Sequence, residues 1–134
     1  REEEKPLPRG SERILFIDDE KNLIDVGKGQ LESLGYRVTA MQSSLEALDV
    51  FQKDPPAFDL VITDQTMPGI TGDNLAKKLM AVRADIPVIL CSGYTELVSE
   101  DRVRELGIKA FLMKPLKRRE MAQVIRNILD DKAN

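Results

Sequence analysis

The sequence predicts an α/β domain with a five-stranded parallel sheet that is covered by helices on both faces. Short, nearly continuous apolar runs alternate with longer stretches whose apolar residues recur at helical spacing. Continuous apolar runs are typical of strands buried on both faces, and alternating strands and helices are typical of parallel sheets. In addition, polar residues directly follow four of the five runs, which would place them together at the carboxyl edge of the sheet.

The predicted strands are short apolar segments bounded by polar or turn-forming residues. In chain order they cover residues 14–17, 36–41, 58–63, 86–90 and 108–113. Pro87 stands near the start of the fourth, where a strand tolerates a residue without a backbone N–H.

The first predicted helix, residues 20–34, is followed by Gly35 in the cap position beyond the last turn. Its apolar residues at helical spacing are Leu23, Val26, Leu31 and Leu34. Gly27 and Gly29 each weaken this helix by about 1 kcal/mol relative to alanine.

The other four helices are predicted from apolar spacing together with caps and helix breakers. The second helix begins at Ser43 or Ser44, stops at Pro55, and bears Leu45, Leu48, Val50 and Phe51. The third follows the loop 67–72 and bears Leu75, Leu79 and Val82. The fourth covers residues 95–106 before Gly107, and the fifth covers residues 117–129.

Composition excludes several classes of function. The 134 residues suit one domain, and a net charge of −3 gives no basic field for nucleic acid. No apolar run approaches the roughly 20 residues of a membrane helix, and no stretch of these residues is expected to act as a signal peptide. The single cysteine, Cys91, fits a reducing cytoplasm. The absence of histidine excludes histidine zinc sites and Ser-His or Cys-His catalysis within this chain.

Domain boundaries are predicted from composition. Residues 1–12 contain an acidic run and two prolines without apolar periodicity and are interpreted as a linker. Residues 13–131 form the domain, and residues 132–134 form a tail. Because this linker comes first and the chain begins with Arg1 rather than methionine, it is interpreted as a domain cut from a longer protein, with processing or a disordered start as the alternatives.

Five polar residues are expected at the carboxyl edge of the sheet: Asp18, Asp19, Asp64, Ser92 and Lys114. Carboxylates gathered at one edge repel each other unless a counter-charge is present. Mg²⁺ binds oxygen ligands and commonly takes one or two carboxylates together with phosphate oxygens. A carboxylate can also carry a phosphoryl group as an aspartyl-phosphate. These residue types therefore predict a site for a divalent metal and a phosphoryl group.

Each of these residues also has a simpler interpretation. Asp18 and Asp19 are suited to the start of a helix, and Ser92 is suited to cap the helix predicted from Thr95. Lys114 resembles any surface lysine after a strand. Phe111 and Cys91 are expected in the core.

The chain resembles the receiver domain of two-component response regulators over about residues 12–131. The matching pieces, in chain order, are Asp18-Asp19-Glu20, Asp64 with Met67-Pro68-Gly69, Ser92-Gly93, Phe111, and Lys114-Pro115. The resemblance implies a flavodoxin-like fold with strand order 2-1-3-4-5. It also implies that the domain is a phosphoacceptor that phosphorylates itself and slowly dephosphorylates, although the parent protein could be a histidine kinase.

Roles follow from the resemblance, position by position. Asp64 is the expected phosphoacceptor. Asp19 is expected to bind Mg²⁺ directly, Asp18 through water, and Thr66 through its backbone carbonyl. Lys114 and Ser92 are expected to bind the phosphoryl group, and Phe111 to turn inward as a switch. A cis peptide bond is expected between Lys114 and Pro115.

The expected partner is a histidine kinase or a phosphotransfer domain, with no direct contact to nucleic acid and with a homodimer left open. The Pro-rich start and the end at Asn134 favour the receiver of a hybrid sensor histidine kinase over a stand-alone receiver. The expected location is the cytoplasm, where a hybrid kinase would attach the domain to a membrane-bound sensor.

Three rival functions remain open from the sequence. An Mg²⁺-dependent phosphohydrolase would need a second acid two residues after Asp64, where Thr66 stands. A flavin or nucleotide binder would need a glycine-rich phosphate loop, which the sequence lacks. A receiver that acts only as an interaction surface, without phosphorylation, would show the same fold.

Overall fold

The computed structural model describes residues 6–93 and 99–132 and contains five strands and five α-helices. In chain order they are β1 (Arg13–Ile17), α1 (Lys21–Ser33), β2 (Arg37–Met41), α2 (Ser44–Lys53), β3 (Leu60–Asp64), α3 (Gly72–Val82), β4 (Val88–Ser92), α4 (Glu100–Leu106), β5 (Ala110–Met113) and α5 (Arg118–Lys132). A short 3₁₀ turn, Pro55–Ala57, follows α2 because neither proline can extend the helix. None of the described helices combines the length and the apolar character needed to cross a bilayer.

All five strands are parallel, and their order is β2-β1-β3-β4-β5, which confirms the predicted fold. The register explains why the polar residues meet. Ile17 pairs with Thr63, so the residues that follow them, Asp18 and Asp64, lie at the same edge of the sheet. Ser92 pairs with Met113, so Lys114 lies one residue beyond the same edge.

Strand side chains alternate between the two faces of the sheet, and each face has its own core. Leu15, Val61 and Leu90 pack under α2, α3 and α4. Phe16 and Ile62 pack on the other face under α1 and α5. Because both faces are covered, the three central strands consist almost wholly of buried residues.

The start of α2 agrees with the prediction, whereas two apolar positions do not. Ser43 is the N-cap of α2, since its hydroxyl accepts a hydrogen bond from the Glu46 N–H at 3.2 Å. Val26 and Leu45 are about 60% exposed although their spacing places them on the apolar stripes. The predicted start of the fourth helix, at Thr95, lies outside the described residues.

The described part of the predicted linker, residues 6–12, contacts the domain. The Gly10 N–H donates to the Leu34 carbonyl at 3.1 Å. Arg126 of α5 forms an ion pair with Glu12 at 2.7 Å and donates to the Arg9 carbonyl at 3.2 Å. Arg126 thereby lowers the pKa of Glu12. These contacts join the segment that precedes β1 to both α1 and α5.

The two glycines inside α1 have different environments. A Cβ atom built on Gly27 would lie 2.4 Å from the ring of Phe16, whereas one on Gly29 would meet nothing within 4 Å. Gly27 is therefore the point where α1 packs closely against β1. Gly29 carries only the conformational cost of a glycine in a helix.

The same substitution at these two positions is expected to change stability in opposite directions. Gly29→Ala should raise the free energy of unfolding by about 0.5–1 kcal/mol, because alanine favours the helix. Gly27→Ala should lower it by about 1–3 kcal/mol, because the new methyl group overpacks the core. Urea unfolding of both variants measures the difference. If both substitutions stabilise the domain, the close packing on Phe16 is not rigid.

Candidate acidic site

Three carboxylates meet at the carboxyl edge of the sheet, as the register requires. One oxygen from each of Asp18, Asp19 and Asp64 can be chosen so that all three lie within 4.8 Å of one another. Asp18 and Asp64 are nearly inaccessible to solvent, and Asp19 is partly exposed. Buried carboxylates at such distances require a positive partner. The donor set consists of hard oxygen atoms and is suited to a cation such as Mg²⁺.

Lys114 supplies positive charge to this site. Its Nζ lies 2.9 Å from Asp18 Oδ2 and 2.8 Å from Asp64 Oδ1. Burial alone would lower the pKa of Lys114, but the hydrogen bonds and charges of Asp64 and Asp18 outweigh it, and the pKa is raised above its usual value. Lys114 is therefore protonated at neutral pH and bridges two of the three acids.

Asp18 also has a local role at the start of α1. Its second oxygen, Oδ1, accepts a hydrogen bond from the Glu20 N–H at 3.0 Å. The N-cap residue of α1 is Glu20, and its side chain makes no capping hydrogen bond. One oxygen of Asp18 therefore bonds the backbone at the start of α1, and the other contacts Lys114 in the acidic site.

Ser92 and Phe111 lie on β4 and β5, the two strands that follow β3 in the sheet. Ser92 is fully buried at the end of β4, and its hydroxyl donates to the Gly93 carbonyl at 3.0 Å. The cap of α4 is Ser99, which accepts from the Arg102 N–H at 3.1 Å, so Ser92 does not cap this helix. Phe111 is partly buried on β5 and pairs with Leu90.

Three other residues singled out in the sequence have clear positions. The peptide bond between Lys114 and Pro115 is cis. Thr66 is exposed in the loop after β3. Cys91 is buried in the core under α1 and α5, and burial raises the pKa of its thiol, which disfavours the reactive thiolate.

The family model for the response regulator receiver domain matches residues 14–126. The chain belongs to this family. It is a phosphoacceptor receiver domain of two-component signalling.

Known relatives agree in sequence and in fold. Response regulator SaeR of Staphylococcus epidermidis is 31% identical over 116 residues, which is 87% of this chain and 49% of that protein. The chain thus spans about half the length of the curated relatives it matches. A receiver domain protein from Clostridium thermocellum superposes with a TM-score of 0.86 at 29% identity, covering 91% of this chain and 97% of that one. A CheY-like receiver from Methanospirillum hungatei gives 0.82 at 28% identity, covering 92% and 98%.

The loop after β3 brings α3 close to Asp64 in this receiver. A Cβ atom on Gly72 would lie 2.2 Å from the Asp64 carbonyl oxygen, so only glycine permits this approach. The Ser44 hydroxyl holds the loop from the other side, since it donates to the Pro68 carbonyl and accepts from the Ile70 N–H, both at 3.1 Å. Asp64, the last residue of β3, is therefore followed by a loop that is held by its own backbone and by α2.

Sequence reasoning missed a second polar cluster next to Asp64. Gln65, Asp73 and Arg102 are joined by hydrogen bonds between the β3–α3 loop, α3 and α4. The only local signal is the acidic residue in the first turn of α3, which is common at helix starts. The partnership with Arg102, 29 residues away, has no sequence signature.

Proposed function

We propose that Asp64 takes a phosphoryl group from a phosphohistidine of a histidine kinase or phosphotransfer domain. An Asp64 carboxylate oxygen attacks phosphorus, the bond between phosphorus and the imidazole nitrogen breaks, and the histidine leaves with the bond's electron pair. The donor lies outside these 134 residues, because they include no histidine. The carboxylate attacks as an anion, and the site does not have to supply a proton. This is consistent with a site that holds three acids and one lysine.

The observation that carries this proposal is the position of Lys114. Its Nζ lies within hydrogen-bond distance of the Asp64 carboxylate at the edge of the sheet. This carboxylate is the group that would accept the phosphoryl group. A cation so placed can bind a phosphoryl oxygen as a point charge. Only 3% of the Asp64 side chain is exposed, so the phosphohistidine of the partner must come close to this edge of the sheet for transfer.

The proposed cofactor is Mg²⁺, held by Asp18, Asp19 and Asp64 and by the backbone carbonyl of Thr66. The three carboxylate oxygens fit the cation in type and spacing. When bound, Mg²⁺ neutralises the acids and stabilises negative charge on the transferring phosphoryl group. Thr66 has no side-chain carboxylate, and this disfavours the rival phosphohydrolase, which would need an acid there.

Asp19→Ala is expected to reduce Mg²⁺ binding at least about tenfold, because it removes the most exposed of the three carboxylates in a site without a complete protein cage. A Mg²⁺ titration followed by amide chemical shifts measures the binding. Asp25→Ala is the matched control, since Asp25 is an exposed acid of α1 that pairs with Lys21. Equal Mg²⁺ affinity in wild type and Asp19→Ala would remove Asp19 from the metal site.

The phosphorylated state is proposed to switch the face formed by α4, β5 and α5. A phosphoryl group adds nearly two negative charges and three acceptor oxygens at Asp64. Ser92 can exchange its bond to the Gly93 carbonyl for a bond to one of these oxygens, and Phe111 can turn into the space behind it. Ser92 ends β4, the strand that precedes α4 in the chain, and Phe111 lies on β5, which is part of that face. We propose this face as the partner surface.

Ser92→Ala should weaken this response while Asp64 stays available. In wild type, beryllofluoride with Mg²⁺ is expected to shift amides across residues 99–113, since the face changes as a unit. In Ser92→Ala these shifts should fall to less than about half, because the hydrogen bond that drives the exchange is absent. Two-dimensional amide spectra measure both proteins. An undiminished response in Ser92→Ala would mean that the signal leaves the site by another route.

A further inference from the structure

Gln65 occupies the position between the proposed phosphoacceptor and the proposed carbonyl ligand, Thr66. Its side chain makes a reciprocal pair with Asp73: Gln65 Nε2 donates to Asp73 Oδ1 at 3.1 Å, and the Asp73 N–H donates to Gln65 Oε1 at 2.9 Å. Its backbone is bonded on both sides, to Cys91 of β4 and to Gly72 of α3, each at 2.8 Å. Because both its side chain and its backbone are hydrogen-bonded, Gln65 sets the direction in which the chain continues through Thr66.

Asp73 is in turn held by α4. Arg102 Nε donates to Asp73 Oδ2 at 2.7 Å, and Arg102 also donates to Asn74 at 3.1 Å. Only 10% of the Asp73 side chain is exposed. Burial would raise the pKa of Asp73, but hydrogen bonds from Arg102, Thr71 and Gln65 lower it to about 2. The carboxylate is thus charged at neutral pH and uses both of its oxygens.

We propose that Gln65, Asp73 and Arg102 are positioning residues that couple the location of α4 to the metal-ligand loop of the acidic site. A continuous series of hydrogen bonds runs from Arg102 on α4 through the buried Asp73 on α3 to Gln65, the residue after Asp64. A shift of α4 changes the partner of Asp73, and Asp73 holds the side chain of Gln65. Because coupling between two sites is reciprocal, cation binding at the loop also favours the docked position of α4.

This inference rests on the proposed function only in treating the Thr66 carbonyl as a Mg²⁺ ligand. It adds a second connection between the site and α4, separate from the one through Ser92. Ser92 precedes α4 in the chain, whereas Arg102 lies within the helix and reaches back to α3. The position of α4 would then affect the site in two ways, through these side-chain contacts and through the backbone between Ser92 and α4.

The test compares two arginines of α4. Arg102→Ala removes the bridge to α3, whereas Arg104→Ala removes a cation whose ion pairs, with Glu100 and Asp101, stay within α4. Without Mg²⁺, Arg102→Ala is expected to shift the amides of Gln65 and Thr66, and Arg104→Ala is not. Mg²⁺ affinity should fall about threefold to tenfold in Arg102→Ala and in Gln65→Ala, and Arg102→Lys should restore part of it.

The two readouts separate this inference from the proposed function. If the wild-type domain does not bind Mg²⁺, the proposed metal site is wrong. The amide shifts measured without Mg²⁺ would still show whether the substitution of Arg102 affects Thr66. Shifts confined to Asp73, Asn74 and α4 in Arg102→Ala would overturn the coupling. Shifts that reach Thr66 with wild-type Mg²⁺ affinity would overturn its effect on the metal site. Urea unfolding confirms that each variant is folded before it is compared.

Discussion

Asp64→Asn is expected to abolish phosphoryl uptake by this receiver. An amide oxygen is a far weaker nucleophile than a carboxylate, so label from an acyl phosphate with Mg²⁺ should fall at least about a hundredfold. In wild type the label should form one base-labile adduct, located on Asp64 by peptide mass analysis. The substitution is nearly isosteric, and the amide oxygen that it introduces can still accept a hydrogen bond from Lys114. The loss should therefore occur in a folded domain.

Two controls make this result specific. Asp25→Asn removes an exposed carboxylate of α1 and should leave labelling unchanged. Circular dichroism and urea unfolding show whether Asp64→Asn keeps its fold. Labelling of Asp64→Asn at the wild-type rate would mean that another residue is the nucleophile. No adduct in wild type, despite Mg²⁺ binding, would support the rival in which the receiver acts as an unphosphorylated interaction surface.

The sheet and its functional edge could be predicted because they depend on local sequence. Apolar runs end where polar residues begin, and parallel pairing brings those ends together within one residue. Asp18, Asp64 and Lys114 are therefore adjacent for a reason visible in the sequence alone. The length of each strand was less predictable. For example, β5 begins at Ala110, two residues later than its apolar run.

Features that depend on tertiary contacts could not be predicted. Gly27 and Gly29 are the same residue type in the same helix, and only the position of Phe16 makes one of them necessary for packing. Val26 has the spacing of a core residue but lies on the exposed side of α1, whereas Ile24 is buried. The bridge from Asp73 to Arg102 joins two separate helices, and no periodicity reports such a pair.

Lys114→Gln is expected to change phosphorylation and metal binding in opposite directions. The ammonium contacts oxygens of Asp18 and Asp64, so it is expected to compete with Mg²⁺ for the same carboxylates. Its removal should raise Mg²⁺ affinity several-fold, because two buried acids then lack a counter-charge. It should lower the free energy of unfolding without Mg²⁺ by about 3–5 kcal/mol, and added Mg²⁺ should restore much of that loss. Phosphoryl uptake should fall about 10²–10³-fold, because a fixed donor to the phosphoryl oxygens is lost.

Lys109→Gln is the matched control for this prediction. Lys109 and Lys114 lie just outside the two ends of β5, and Lys109 is exposed at the end of the sheet away from the acids. The two variants have the same net charge, so a general electrostatic effect would change both equally. Calorimetric Mg²⁺ titration and acyl phosphate labelling of the pair separate local from general effects. If Lys114→Gln binds Mg²⁺ more weakly than Lys109→Gln, Lys114 supports the metal site rather than competing with it, and its ion pairs with Asp18 and Asp64 position those carboxylates for the cation.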